Sequence, residues 1–417
     1  MNPVLVAVAA ALVVALGAVG VLAGEGEEAE QAAERPRGPS LEQVTERVAE
    51  VARDVERVRE LEFERLPRVR VVSPAEARRA ALRELDEQVP RRRQRIEERL
   101  LVMLGLLPPD TRLREVIGKA LTEEVAGYYI PRSGTLALVG GEGLDGFLAE
   151  VTLAHELTHA LEDQHFGIEA HGASGFLGDR SVADAALREG TATLAMLDYV
   201  ALTQGGGAEL PDEVRRQVLQ ELSEITLPAS SGLPRYVREG LVWPYAAGAG
   251  FVDWIQGEGG WAAVDRAYEE DPPRSSEQIM HPRKYEAGER PARVKLRGLR
   301  AALGADARVI SRGDLGEFDT EQFLRDANGR RRSQEAAAGW GGSSIELWRA
   351  GGGKDVLVMG WAWDTARDAR EFAAAAELTL ARLGGAGAVN DGNEGMVTVV
   401  LAPEASLARR VARRISR

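Results

Sequence analysis

Apolar residues recur at spacings of three and four between residues 41 and 58, with charged residues between them. The apolar positions are Leu41, Val44, Val48, Val51, Val55 and Val58. This spacing predicts an amphipathic helix with one apolar face. Because the pattern covers fewer than three heptads, we expect the face to pack on the chain's own domain. A short coiled coil that forms a homodimer is the alternative.

Between residues 68 and 203, short apolar runs alternate with helical periods, which predicts a few strands among helices. Ser73, Pro74 and Glu76 form a capping box with a proline in the first turn, so a helix begins there. A second capping box, Ser181 with Asp184, predicts the start of a long helix. The predicted strands cover 68–72, 126–130 and 135–139, and the predicted helices cover 41–58, 74–106, 111–124, 151–166 and 181–203.

The character of the sequence changes at about residue 293. Before it, helices are predicted over 235–256 and from Gly259 onward, and His281 is expected to be extended because Pro282 follows it. After it, strands at 344–348, 356–361 and 396–401 accompany helices at 365–383 and 404–415. We therefore predict an α+β fold: a mainly helical domain with a small sheet over 41–292, and an α+β accessory domain over 293–417.

The first 40 residues differ from the rest of the chain. Residues 3–23 form an uncharged, nearly continuous apolar run, which glutamates follow directly. About 20 apolar residues can cross a bilayer as a helix, whereas a cleaved signal usually has about 7–15. We predict a membrane anchor over 1–23, with a cleaved signal as the alternative, and a flexible linker over 24–40. Either way, the globular part is expected to be membrane-anchored outside the cytoplasm or secreted.

Composition excludes several classes of protein. The chain of 417 residues has a formal net charge of −13, and no basic stripe with interleaved aromatic residues stands out, so we expect no nucleic-acid partner. It has no cysteine, which excludes disulfide scaffolds, thiolate zinc fingers and a catalytic cysteine.

The clearest chemical motif is His155-Glu156-Leu157-Thr158-His159, set in an apolar, helix-forming stretch. Histidines at i and i+4 lie on the same helix face, so both imidazoles can reach one Zn²⁺ ion. Glu156 follows the first histidine and is placed to act as general base on a water molecule. Two incidental histidines on a helix are the alternative.

A catalytic zinc site needs a third protein ligand. The spacing of His155, His159 and His165 is that of the extended metzincin motif, but that motif has a glycine midway, where this chain has Glu162. If the helix continues, His165 lies about 80° off the face of His155 and about 9 Å beyond His159. The second candidate is Glu189, on the next long helix and flanked by small residues that would let two helices approach closely. We predict Glu189 as the third ligand, with His165 as the alternative.

Three segments resemble the gluzincins, the thermolysin-like branch of zinc metallopeptidases, and in particular a bacterial extracytoplasmic subgroup. They are HELTHALEDQH at 155–165, LREGTAT at 187–193 and SEQIMHPRKY at 276–285, within a likeness that covers roughly residues 120–290. The resemblance implies a zincin-like catalytic domain that hydrolyses peptide bonds of a peptide or protein substrate with a zinc-activated water. Thermolysin-like enzymes have an Asp where this chain has Thr193. Asp163, Asp198 or a backbone carbonyl is the alternative group for orienting a ligand histidine.

Hydrolysis of a peptide bond also needs a donor for the developing oxyanion. His281 and Tyr285 are the best candidates by residue type, Tyr236 and Tyr245 come next, and a plain turn histidine is the alternative for His281. An exposed strand before the motif helix pairs with substrate in zinc proteases. Residues 136–139 are the candidate, with a structural hairpin as the equal alternative.

Two rival functions follow from the same residues. One is a zinc hydrolase of a non-peptide substrate, although the deformylase type uses a cysteine ligand that this chain lacks. The other is a catalytically inactive zincin-like protein that serves as a membrane-anchored binding or assembly module.

Overall fold

The computed structural model describes residues 40–123, 127–139, 146–167, 178–205, 210–224, 232–384, 386–391 and 395–415. The predicted anchor, linker residues 24–39 and His171 lie outside these ranges. Among the described residues, no helix is both long enough and apolar enough to span a membrane.

These residues form two compact units, each drawn from three stretches of chain. The described residues of the first lie within 40–90, 114–173 and 184–272, and those of the second within 91–113, 174–183 and 273–415. The predicted domain division at residue 293 stays a prediction.

The fold is α+β, as predicted, with helices predominating and two sheets among the described residues. The elements up to residue 269 are α1 (Leu41–Arg59), β1 (Arg68–Val72), α2 (Pro74–Gln88), α3 (Arg91–Met103), α4 (Leu113–Glu123), β2 (Gly127–Ile130), β3 (Thr135–Val139), α5 (Phe147–Phe166), α6 (Asp179–Val200), α7 (Asp212–Glu224) and α8 (Arg235–Glu269). The later elements are α9 (Ser276–Met280), α10 (Pro282–Glu286), α11 (Leu299–Leu303), β4 (Arg308–Gly313), α12 (Glu317–Asn328), α13 (Arg330–Ala337), β5 (Trp340–Arg349), β6 (Asp355–Trp363), α14 (Ala366–Arg382), β7 (Gly387–Asp391), β8 (Met396–Leu401) and α15 (Ala405–Ile415).

In the first unit, the apolar face of α1 packs into the unit's own core, as expected. Four of its buried valines, from Val44 to Val55, lie in one cluster with Leu136 and Leu138 of β3 and with Leu153 and Leu157 of α5. Leu41, the first apolar position of the pattern, is exposed. The apolar face of α1 is therefore buried within the unit.

The sheet of the first unit corrects one expectation. Its strand order is β1-β3-β2, with β1 parallel and β2 antiparallel to β3. Residues 136–139 thus belong to the central strand, whose two sides are already paired. They cannot be the exposed strand that pairs with substrate, because a central strand has no free edge. The structural hairpin was the right interpretation.

Sequence signals predict most of the ends of the two helices that carry the motif residues. α5 ends at Gly167, whose φ of 66° is the left-handed conformation in which glycine commonly stops a helix. α6 begins at Asp179, two residues before the predicted Ser181 cap. The N–H of Asp179 donates to Oδ1 of Asp314 at 2.7 Å, so a distant carboxylate caps this helix.

In the second unit, an antiparallel sheet of order β4-β5-β6-β8-β7 has helices on both faces. Val356 and Val358 of β6 face the core cluster that contains α11 and α15. Trp361 of the same strand points to the opposite face, where its ring packs against that of Phe372 of α14, with the ring centroids 4.6 Å apart. The sequence did not predict β4, β7, α12 or α13.

Candidate metal centre

Three predicted ligands lie together in the first unit. Nε2 of His155 and Nε2 of His159 are 3.1 Å apart, and Oε2 of Glu189 is 3.3 Å from the first and 3.4 Å from the second. A tetrahedral zinc ion with bonds of about 2.0–2.1 Å would separate its ligand atoms by roughly 3.3–3.4 Å. The donor triangle therefore has the size that a tetrahedral ion requires. All three side chains are buried.

Two helices bring these donors together. His155 and His159 are one turn apart on α5, and Glu189 lies near the middle of α6. Next to Glu189, Gly190 touches Gly248 of α8 so closely that a Cβ on either glycine would lie under 3.0 Å from backbone of the other helix. The two backbones can approach this closely because both positions are glycine. The contact positions α6, and with it Glu189, against α8.

The charges of the triangle are strongly coupled. Burial opposes protonation of His159, but the Glu189 carboxylate outweighs it and raises the pKa of His159 to about 9. Burial alone would raise the pKa of Glu189, yet the two histidines lower it to about 2. Burial lowers the pKa of His155, although Glu189 and the backbone of Ala192 act in the opposite direction. A negative carboxylate between two imidazoles suits a cation.

Glu156 is held from one side. The backbone N–H of Tyr129, on β2, donates to Oε2 of Glu156 at 2.8 Å. Within the described residues, Oε1 of this fully buried carboxylate has no hydrogen-bond partner. Burial raises the pKa of Glu156 to about 8. One oxygen is thus fixed by the sheet while the other is available to a ligand.

A second polar group ties together the same three helices, one turn further along α5. The hydroxyl of Tyr268, on α8, lies 2.9 Å from Oε2 of Glu162 on α5 and 3.1 Å from Oγ1 of Thr191 on α6. Nε of the buried Arg59 lies 3.4 Å from Oε1 of Glu162. Cζ of the Arg59 guanidinium lies 4.6 Å from the centroid of the Trp261 ring. No local pattern indicated this group, because its members lie up to about 200 residues apart in the chain.

Tyr245, a lesser candidate by sequence, lies beside the triangle. Its ring stacks on the His155 ring with centroids 5.8 Å apart and an interplanar angle of 29°. Tyr129 and Tyr245 both contact motif residues, and these contacts join elements distant in sequence, which local patterns do not predict.

The other sequence candidates have partners elsewhere. His165 is exposed on the continuing α5 helix, with Nε2 at 2.8 Å from the carbonyl oxygen of Glu62. Asp163 accepts a hydrogen bond from the Tyr129 hydroxyl at 2.9 Å, and Asp198 accepts one from Arg215 at 2.7 Å. Orienting a ligand histidine stays a prediction for both aspartates.

His281 and Tyr285 belong to the second unit. His281 is non-helical, as predicted, and its Nε2 lies 3.0 Å from Oε1 of Glu317. This contact, together with Glu317's negative charge, raises the pKa of His281. Tyr285 lies on α10. Their role as oxyanion donors stays a prediction.

The second unit has its own group of three convergent acids: Glu277, Glu289 and Asp364. Nζ of Lys284 lies 2.6, 3.0 and 2.6 Å from their carboxylates, respectively. A protein cation therefore already contacts all three carboxylates.

Comparison with known proteins reaches only the second unit. The family described as a domain of unknown function (DUF8575) matches residues 297–416. No curated protein matches the chain, and no solved structure does either. The match contains the five-stranded sheet, and the residues of the donor triangle lie outside it.

Proposed function

We propose that the first unit is a zinc-dependent peptidase with a zincin-like, gluzincin-type site. The observation that carries the proposal is the donor triangle of His155, His159 and Glu189, with edges of 3.1–3.4 Å. Two imidazoles and a carboxylate are a common ligand set of catalytic zinc. Zinc binding would displace the proton that Glu189 favours on His159. The sequence motif and the thirty-residue step from His159 to Glu189 favour the same assignment. In this proposal the peptidase acts outside the cytoplasm, either held at the membrane by its N-terminal anchor or as a secreted protein.

The residues present fit a zinc ion. His155, His159 and Glu189 would hold it, and Glu156, the residue next to a ligand, has an Oε1 without a hydrogen-bond partner in the described part of the chain. When bound, zinc lowers the pKa of a water to about 7 and polarises a carbonyl group. The Tyr129 N–H keeps Glu156 oriented through Oε2.

In the proposed reaction, Oε1 of Glu156 accepts a proton from the water whose oxygen attacks the peptide carbonyl carbon. The same oxygen then passes that proton to the amide nitrogen as the C–N bond breaks. Burial excludes bulk water from Glu156 and strengthens its interaction with nearby charges.

The test is Glu156→Gln, which removes the base and keeps the shape. Zinc content should stay unchanged, and cleavage of a peptide library should fall by roughly 10²–10⁴-fold, the usual contribution of a positioned acid–base group. The matched control is Glu150→Gln on the same helix, whose carboxylate pairs with Arg47 at 3.1 Å and which should keep full activity.

Three outcomes would count against the proposal. A Glu156→Gln variant that keeps a tenth of the activity would exclude Glu156 as the base. Zinc-loaded protein that cleaves no peptide in the library would favour a non-peptide substrate or an inactive binding protein. A chain that binds no zinc would remove the metal centre itself.

A further inference from the structure

One face of the second unit's sheet is covered by a continuous layer, formed by residues 293–303 and α15. The side chains of Val294 and Leu296 lie against Gly360 of β6, where a Cβ would come within 2.9–3.1 Å of them. Leu299 of α11 and Val411 of α15 belong to the core cluster on that face. Nη1 of Arg414 donates to the carbonyl oxygen of Ala301 at 2.9 Å and joins the two parts of the layer.

The outer surface of this layer is uniformly basic. In the stretch 293–297, residues alternate between facing the sheet and facing solvent, and the outward positions are all Arg or Lys. On α15 the exposed arginines lie opposite the buried apolar stripe. The exposed cations are Arg293, Lys295, Arg297, Arg300, Arg409, Arg410, Arg413 and Arg414.

No carboxylate balances these eight charges within the layer, because residues 293–303 and 405–415 contain no Asp or Glu. Glu404, just before α15, pairs with Lys354 at 2.6 Å and also attracts Arg410, so at most one nearby carboxylate offsets part of the charge. The chain as a whole has a formal charge of −13. Positive charge is therefore segregated on one surface of an acidic protein, and such a surface attracts polyanions.

We propose that this basic layer docks on anionic phospholipid headgroups. Each Arg or Lys near an anionic bilayer strengthens binding by about fivefold, so eight on one surface suffice for docking. The layer contains no Phe, Trp or Tyr, the residues on which single-stranded nucleic acid stacks. The chain also carries an apolar run at 3–23 that favours a bilayer. The docking does not depend on the proposed zinc chemistry.

The test uses the absence of cysteine to place one fluorophore at a time on the full chain. Ser406→Cys puts a label on the exposed side of α15. Ala374→Cys puts the matched control on α14, which packs on the opposite face of the sheet through Phe372. Each labelled chain is mixed with vesicles of phosphatidylcholine, with or without phosphatidylglycerol, that contain a lipid with a quenching headgroup.

We expect quenching of the Ser406 label only in vesicles with phosphatidylglycerol, its loss at high salt, and little quenching of the Ala374 label. Replacing Arg409, Arg410 and Arg413 with Gln should weaken docking on the order of 100-fold. Arg414 is left intact because it contacts Ala301. If circular dichroism shows that the triple variant is unfolded, Arg297→Gln with Arg300→Gln serves instead.

Three results would overturn the proposal. Equal quenching of the Ser406 label in both kinds of vesicle would assign binding to the apolar run alone. Unchanged quenching in a folded arginine variant would show that the basic layer does not bind the vesicles. Tighter binding of duplex DNA than of anionic vesicles at physiological ionic strength would identify a nucleic-acid surface instead.

Discussion

The two units each bring three potential metal ligands together, but they balance the charge in different ways. In the second unit, Lys284 lies within hydrogen-bonding distance of all three carboxylates. In the first unit, two imidazoles converge on one buried carboxylate, and no lysine or arginine contact is found for Glu189 within the described residues. Convergent acids alone therefore do not indicate a metal site. The nature and spacing of the donors distinguish the two groups. The cation of the second group is a lysine whose pKa, despite burial, its carboxylate partners raise, whereas His159 can lose its proton and become a metal ligand.

The largest stability effect should come from the helix crossing that supports the donor triangle. In Gly190→Ala, the new methyl group would overlap the backbone of Gly248. Overpacking typically costs about 1–3 kcal/mol, and a clash with backbone belongs at or above the upper end. We expect the free energy of unfolding to fall by about 3 kcal/mol or more, with weaker zinc binding.

The matched control is Gly250→Ala on α8, because a Cβ there has open space around it. This substitution should be neutral or stabilising, since alanine favours helix. Equal denaturation midpoints for the two variants would show that the close crossing does not exist.

The second prediction concerns the lysine of the acidic group. Lys284→Met leaves the buried Glu277 without its cation. Breaking a fully buried pair costs about 3–5 kcal/mol. Because Lys284 is partly exposed, we expect about 2 kcal/mol, measured by denaturant unfolding. Ca²⁺ should restore part of the loss in the variant, since it prefers several carboxylate oxygens, and should leave the wild type unchanged.

Lys354→Met is the control, because the Lys354–Glu404 pair is exposed and should contribute little. If Lys284→Met were no less stable than Lys354→Met, the acidic group would not depend on its lysine.

A smaller effect is expected from Tyr268→Phe, which keeps the ring stacked on Phe166 and removes the hydroxyl shared by Glu162 and Thr191. Loss of a hydrogen bond to a buried acidic group should cost about 1–2 kcal/mol. The apo and zinc-loaded proteins are compared by thermal unfolding. A positioning role predicts that zinc stabilises the variant less than it stabilises the wild type.

Tyr199→Phe provides the comparison, because its hydroxyl makes only a 3.4 Å contact with Glu150. If both tyrosine variants responded to zinc like the wild type, Tyr268 would have a purely structural role.

Local patterns predicted what local interactions determine. The valine stripe of α1, the Ser73 capping box and the strands at 344–348 and 356–361 were readable because each signal lies within one element. β4 and β7 were missed because they are the edges of their sheet, where half-exposed strands show weak apolar alternation.

Contacts between residues that are distant in sequence could not be predicted. The sequence placed His155, Glu156, His159 and Glu189 on two helices, and the small residues around Glu189 indicated a close helix approach. It could not identify Gly248 as the partner of Gly190 or Tyr129 as the residue that orients Glu156. It also left open whether β3 is an exposed strand or part of a structural hairpin, because strand order depends on β1, more than 60 residues earlier in the chain.

The central claim is that His155, His159 and Glu189 hold one zinc ion. Its most direct test is the zinc content of the purified wild type, Glu189→Ala and His165→Ala proteins, measured after dialysis against the same zinc buffer. We predict about one zinc per chain in the wild type and in His165→Ala, and far less in Glu189→Ala, because two histidines alone make a weak site. Zinc retained in Glu189→Ala but lost in His165→Ala would contradict the account.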